Sequence, residues 1–157
     1  MEDNFKMVAK TFYGFEEILA KELLQLGAQD IKPGNRMVSF VGDLGFLYKA
    51  NLCLRTALKI LKPIHSARVQ NDEELYQLFY DFPWEDYLDI DSKFMIDSVV
   101  SGTIFTHSQY AAQKAKDGLV DFFRDQHNER PSVDLNRPDL RINLHIQDDW
   151  CTISLDS

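Results

Sequence analysis

The stretch that decides the fold begins His107-Ser108-Gln109-Tyr110-Ala111-Ala112-Gln113-Lys114-Ala115-Lys116-Asp117-Gly118-Leu119-Val120-Asp121-Phe122-Phe123. It passes through Arg130-Pro131-Ser132-Val133-Asp134-Leu135 and Arg137-Pro138-Asp139-Leu140, and ends Arg141-Ile142-Asn143-Leu144-His145-Ile146. Two periods are written in it. Ala111, Ala115, Leu119 and Phe122 recur at helical spacing, while Gln109, Gln113 and Lys116 run down another side. Ser108 is of the residue type that caps a helix by accepting from a free backbone N–H, so a helix is expected from there to about Asp125. Ile142, Leu144 and Ile146 then alternate with Arg141, Asn143, His145 and Gln147, the period of a half-buried strand. Asp148-Asp149 fits a two-residue hairpin link to a return strand on which Cys151, Ile153 and Leu155 alternate. Between helix and strand, Asp134, Asp139 and the two prolines suit Asx-type turns.

Working outward, Phe5 to Lys10 is expected to be a strand. From Phe15 a helical stripe follows through Ile18, Leu19, Leu23 and Leu26, ended by Gly27. Pro33-Gly34-Asn35 signals a turn, and Arg36 to Val41 a further strand. This order, strand, helix, strand, strand, is that of a small split βαβ unit. Asp43 is placed to cap a helix to about Leu54, with Leu47, Leu52 and Leu54 as apolar contacts. Leu58 to Val69 reads as extended; Pro63 cannot donate to a ladder, which predicts an edge or bulged strand. Asn71 or Asp72 caps a short helix to Phe79, Pro83-Trp84 ends it, and Phe94 to Val100 is a strand. Trp84, Tyr80 and Tyr87 read as packing aromatics.

At 157 residues the chain is one ordinary domain or two small ones, long enough to bury a core without disulfides. With 45% apolar and 27% charged residues it has the composition of a soluble globular protein. It shows neither an export signal nor an apolar run of membrane-spanning length, so no membrane partner is expected and a cytoplasmic setting is the default. Cys53 and Cys151 stand apart, and the four histidines never take metal-ligand spacing, so no metal is expected. The net charge of −8 is unevenly spread. Residues 43–69 hold five basic groups (Lys49, Arg55, Lys59, Lys62, Arg68) against Asp43, whereas residues 70–106 hold nine acids against Lys93. Such asymmetry can orient a field and draw a polyanion to one face, or simply solvate the surface.

No G-x-G-x-x-G or P-loop lysine motif is present, and no carboxylate pair is set apart for acid–base work. Ser108 beside His107 is a cap rather than a nucleophile with its base. The chain carries no visible catalytic residue. A binding role is more legible. The start of the long helix offers free N–H groups to an anion, with Ser108, Gln109 and Tyr110 adding donors and a stacking ring. Lys114, Lys116, Arg137 and Arg141 form a candidate basic rim that could track a nucleic-acid backbone.

Ser108-Gln109-Tyr110 with Lys114-x-Lys116-Asp117-x-x-Val120-Asp121-x-Phe123, Arg130-Pro131-x-Val133-Asp134 and Pro138-Asp139-Leu140-Arg141-Ile142-Asn143 resembles the THUMP domain. Gly14-Phe15-Glu16-Glu17-Ile18-Leu19-x-x-Glu22-Leu23-x-x-Leu26-Gly27-Ala28 resembles the ferredoxin-like piece that precedes THUMP in bacterial large-subunit rRNA guanine methyltransferases. The resemblance implies an α+β chain: a ferredoxin-like (split βαβ) unit over residues 1–42 packed against a THUMP domain over residues 43–157. It implies RNA binding, with large-subunit rRNA as the partner. It also implies a methyltransferase domain following Leu155-Asp156-Ser157, which would hold S-adenosylmethionine, so that this chain itself holds no cofactor. His107 and Gly118 depart from the family pattern, which commonly has asparagine and alanine there. Two other readings stay open: a THUMP module of a tRNA methyltransferase or thiouridine synthase, and a non-catalytic α+β protein-interaction module that uses the acidic 70–106 segment.

Overall fold

The computed structural model describes residues 3–156. Met1, Glu2 and Ser157, at the outer ends of the two expected domains, lie outside them. The chain divides into two compact α+β units: one reaches to Pro63 and takes in Asp156, the other runs Ile64–Leu155.

The first unit contains β1 (Phe5–Lys10), α1 (Glu16–Leu26), β2 (Gln29–Gly34), β3 (Met37–Gly42), α2 (Leu44–Cys53) and the start of β4 (Lys59–Arg68). Its strands lie in the order β2-β3-β1-β4. The period of two sends Met7, Ala9, Val38, Phe40 and Ile60 to one face, where they share a core with Leu19 and Leu23 of α1 and Leu47 and Ala50 of α2. Each such leucine, fully buried, contributes roughly 1.5–3 kcal/mol. The apolar stripe of α1 is narrower than its spacing suggests, because Phe15 and Ile18 remain 42% and 49% exposed. Gly27, at φ 104°, ends α1 in the left-handed conformation and donates to the Leu23 and Leu24 carbonyls. Asp43 caps α2 by accepting from Phe46 N–H at 2.7 Å, but Leu52 points to solvent. Pro33 and Gly34 close β2, and the turn falls on Asn35-Arg36, with Arg36 at φ 57°. Because Leu47, Ala50 and Ile60 join this core, the unit extends past residue 42. Pro63 stands just after the last β1–β4 pair, Val8 with Leu61, so its missing N–H is not called on to donate to β1.

The second unit holds the rest of β4, α3 (Asp72–Asp81), a 3₁₀ turn (Trp84–Asp86), β5 (Lys93–Ser101), α4 (Ser108–His127), β6 (Ser132–Val133), β7 (Leu140–Gln147) and β8 (Trp150–Asp156). The strand order is β4-β8-β7-β5-β6, with β5 parallel to β6 and β7, and β7 antiparallel to β8. Phe79, Trp84, Phe94, Leu119, Phe123, Ile142, Leu144 and Ile146 form one core. Trp84 is fully buried and its indole N–H donates to the Phe79 carbonyl at 2.7 Å, which satisfies its one polar atom. Asn71 accepts from Glu74 N–H, and the Glu74 carboxylate reaches back to Gln70 N–H, closing the first turn of α3 reciprocally.

The start of α4 corrects one expectation. Ser108 is the first helical residue, and the cap position is held by His107, whose side chain makes no capping bond. The helical ladder already begins at the His107 carbonyl, which accepts from Ala111 N–H at 3.1 Å, so Ser108 is too far inside to cap. Its carbonyl instead accepts from the Ser98 hydroxyl.

Candidate nucleic-acid interface

The sequence-predicted residues divide by helical and strand period. Gln109, Ala112, Gln113 and Lys116 fall at i, i+3, i+4 and i+7 of α4 and line one wall of a groove of about 390 Å³. Phe94 and Ile96 of β5, with Val133 of β6 and Leu135, complete it. The floor is apolar, and the α4 wall carries two amides and an ammonium group. Among the described residues Lys116 has no carboxylate partner, whereas the Gln113 amide donates to Asp117 at 3.0 Å.

Asp134 shapes the far wall. Its carboxylate accepts from the N–H groups of Asn136 and Arg137 at 2.9 and 3.1 Å, an Asx-type turn that tightens the Leu135–Arg137 loop. Those two bonds, first Arg137 and then Asn136, hold its pKa below the ordinary carboxylate value. Arg137 is exposed on this loop, two residues past the groove-lining Leu135. Asp139 makes no such turn; it accepts from Lys93 N–H at 2.8 Å and so ties the loop's exit to the start of β5.

Tyr110 and Lys114 lie on a different stripe of α4. The Tyr110 hydroxyl donates to Asp72 of α3 at 2.9 Å, a bond that raises its pKa, and the Lys114 ammonium sits 5.8 Å from the ring centre. Ser108 is exposed at the helix start. Arg141 is not with the others. It alternates with the core-facing Ile142, so it projects from the opposite sheet face, where its guanidinium contacts the Met95 sulfur at 3.3 Å. The rim read from sequence therefore resolves into Gln109 and Lys116 in the groove, Arg137 on its loop, Tyr110 and Lys114 toward α3, and Arg141 behind the sheet.

The groove's apolar residues were missed by sequence reasoning. Val133 and Leu135 are two apart, the period of an extended edge, but β6 is only two residues long and gives too short a pattern to read. Residues 64–155 carry eight basic groups against seventeen acids, a net of −9, so Lys116 and Arg137 are local exceptions on an acidic unit. Among the described residues no three His, Cys, Asp or Glu side chains gather as a metal site, and no helix is long and apolar enough to cross a membrane.

A split βαβ unit followed by a helix-covered sheet with a grooved edge is an α+β pair of domains of one recognisable class. The chain belongs to the THUMP domain family, which it matches over residues 69–156, and residues 6–61 match the RlmL ferredoxin-like domain. It is 36% identical over 156 residues to the ribosomal RNA large subunit methyltransferase K/L of Syntrophotalea carbinolica, covering 99% of this chain and 22% of that protein. The protein of the same description from Magnetococcus marinus is 36% identical over 152 residues, covering 97% and 21%. Among solved structures, SMU.472, described as a methyltransferase and crystallised with SAH, superposes with a TM-score of 0.80 at 25% identity, over 100% of this chain and 42% of that one. The chain thus spans about a fifth of the length of these curated relatives.

Proposed function

We propose that this chain is the RNA-binding front of a large-subunit rRNA guanine-N2 methyltransferase, positioning rRNA for a catalytic domain that follows it. The observation that carries the reading is this chain's THUMP match over residues 69–156, joined to its 36% identity with relatives described as rRNA large subunit methyltransferases, which align with 97–99% of the chain. The groove supports it: an apolar floor suits the face of an unpaired base, and Gln109, Lys116 and the Arg137 loop supply donors for phosphate and base edges. Ser108, Tyr110 and Lys114 flank that contact, whereas Arg141 joins it only if RNA also reaches the opposite sheet face. S-adenosylmethionine binds in the following domain, where methyl transfer takes place, and a cytoplasmic setting goes with an rRNA substrate.

The test is a competition experiment. The chain is held with a labelled fragment of deproteinised large-subunit rRNA, and unlabelled rRNA or bulk tRNA is added. Displacement at lower concentration by rRNA is the expected result. Displacement at lower concentration by tRNA contradicts the assignment to rRNA.

A further inference from the structure

The first unit carries an unused feature at the β1–α1 turn. Phe12 and Tyr13 are 61% and 76% exposed, although Thr11 just before them is buried. The turn that bears them is firmly held. Thr11 N–H donates to the Arg36 carbonyl at 2.9 Å, and its hydroxyl donates to the Thr56 carbonyl at 2.6 Å. Glu16 accepts from the N–H groups of Gly14 and Arg36 at 2.6 and 3.2 Å, and Gly14 takes φ 92°, a conformation favoured by glycine. Phe12 meets Phe15 edge to face, with ring centres 6.3 Å apart. Two large rings are therefore displayed to solvent on a pinned turn, where ordering on binding costs little further entropy.

The charge beside these rings is positive. Lys10 ends β1 and pairs in register with Lys59, the two side chains falling on one sheet face. Among the described residues neither lysine has a carboxylate partner; burial first, then Lys59, lowers the Lys10 pKa. Arg36, in the β2–β3 turn, is tied to this one through its backbone. Glu16, which with Glu17 opens α1, is engaged with the backbone N–H groups of Gly14 and Arg36 and attracts the Arg36 side chain, so the positive charge left over is that of the two lysines. Residues 3–63 hold nine basic groups against six acids, a net of +3, opposite in sign to the −9 of residues 64–155. Exposed rings near two lysines without a carboxylate partner among the described residues are complementary to a strand that offers flat bases and phosphates, and less so to an apolar or cationic protein surface.

We infer that Phe12 and Tyr13 form a base-stacking platform for unpaired RNA, with Lys10 and Lys59 placed to meet the adjoining phosphates. This rests on the RNA-binding reading above and adds to it a second contact, built on the ferredoxin-like unit.

The probe is a fluorescein-labelled 12-nucleotide single-stranded RNA of mixed sequence, read by anisotropy at low salt, with the 157-residue chain. Tyr13→Leu and the double variant Phe12→Ser/Tyr13→Ser are compared with Tyr13→Phe. Stacking predicts a loss of affinity of about fivefold or more per ring removed, and near-normal affinity in Tyr13→Phe. If the double variant misfolds by circular dichroism, Tyr13→Leu decides alone. Wild-type binding that Lys116→Ala weakens but the ring variants do not overturns the platform and leaves the RNA reading intact. Equal affinity of Tyr13→Leu and Tyr13→Phe also overturns it, because it shows an apolar rather than an aromatic contact. No RNA binding by the wild-type chain overturns both.

Discussion

Gly118 of α4 lies directly against the backbone of Tyr76 in α3: a Cβ on Gly118 would overlap the Tyr76 carbonyl oxygen and come within 3.0 Å of the Phe79 Cβ. Glycine in mid-helix normally costs up to about 1 kcal/mol relative to alanine. Here it permits the close approach of the two helices that cover the second unit's core. Gly118→Ala gains that propensity but must push α3 away, and overpacking of this kind costs about 1–3 kcal/mol. The expected net effect is destabilisation by about 1–2 kcal/mol. For a chain of this length that lowers the melting temperature by roughly 2–4 °C per kcal/mol, measurable by calorimetry. A melting temperature at or above wild type would show that the helices have slack.

The same helix pair is tied by side chains. The Tyr76 hydroxyl donates to Asp121 at 2.5 Å, and this bond, with lesser help from burial, pushes its pKa up to about 12. The bond holds the protonated phenol in the folded state, against an ordinary value near 10 in the unfolded chain. Its contribution is complete below pH 10 and disappears as the pH rises through about 12. Tyr76→Phe should destabilise by about 1 kcal/mol at neutral pH, a value reduced for partial solvent screening. The deficit should vanish above the upper value in denaturant melts run across alkaline pH. A deficit that stays constant across that range would mean that the ring, not the hydroxyl bond, is what α4 uses.

The two cysteines should differ sharply in reactivity. Cys151 is fully buried on β8, and burial pushes its thiol up to about 12, whereas Cys53 is exposed at the end of α2. Thiolate is the reactive form, so titration of the native chain with a thiol-disulfide dye should release about one equivalent quickly. A second should follow only on unfolding. Rapid reaction of two thiols in the native state would place Cys151 outside the core.

Much of this architecture is legible in the sequence because it depends on local rules. The alternation of Ile142, Leu144 and Ile146 identifies a core-facing strand, Gly27 closes α1, and Asp43 and Asn71 cap α2 and α3. What escapes is set by distant partners. Ser108 has the chemistry of a cap, but one residue of register decides whether it caps, and that register depends on where β5 delivers the chain. Arg141 lies close in sequence to Arg137, yet strand alternation sends it behind the sheet. The groove itself needs Phe94, Ile96, Val133 and Leu135 together with α4, residues far apart in the chain and brought together only by parallel pairing of β5 and β6. The exposed Phe12 and Tyr13 read as ordinary apolar residues until burial is known.

The split between Lys116 and Arg141 gives a graded expectation for binding. Lys116→Ala removes an ammonium group from the groove and should weaken RNA binding severalfold. Arg141→Ala removes a contact with Met95 and should change affinity by less than twofold. Equal losses in a fluorescence binding assay would mean that RNA passes over both sheet faces.

The central claim is that the α4 groove grips an RNA backbone through Lys116. Its most direct test is the salt dependence of single-stranded RNA affinity for wild type and Lys116→Ala. Each neutralised phosphate contributes about 0.7 to the slope of log affinity against log salt on a single strand. The account predicts a negative slope for wild type that becomes shallower by about 0.7 in Lys116→Ala. Affinity independent of salt, or identical slopes in the two proteins, would contradict it.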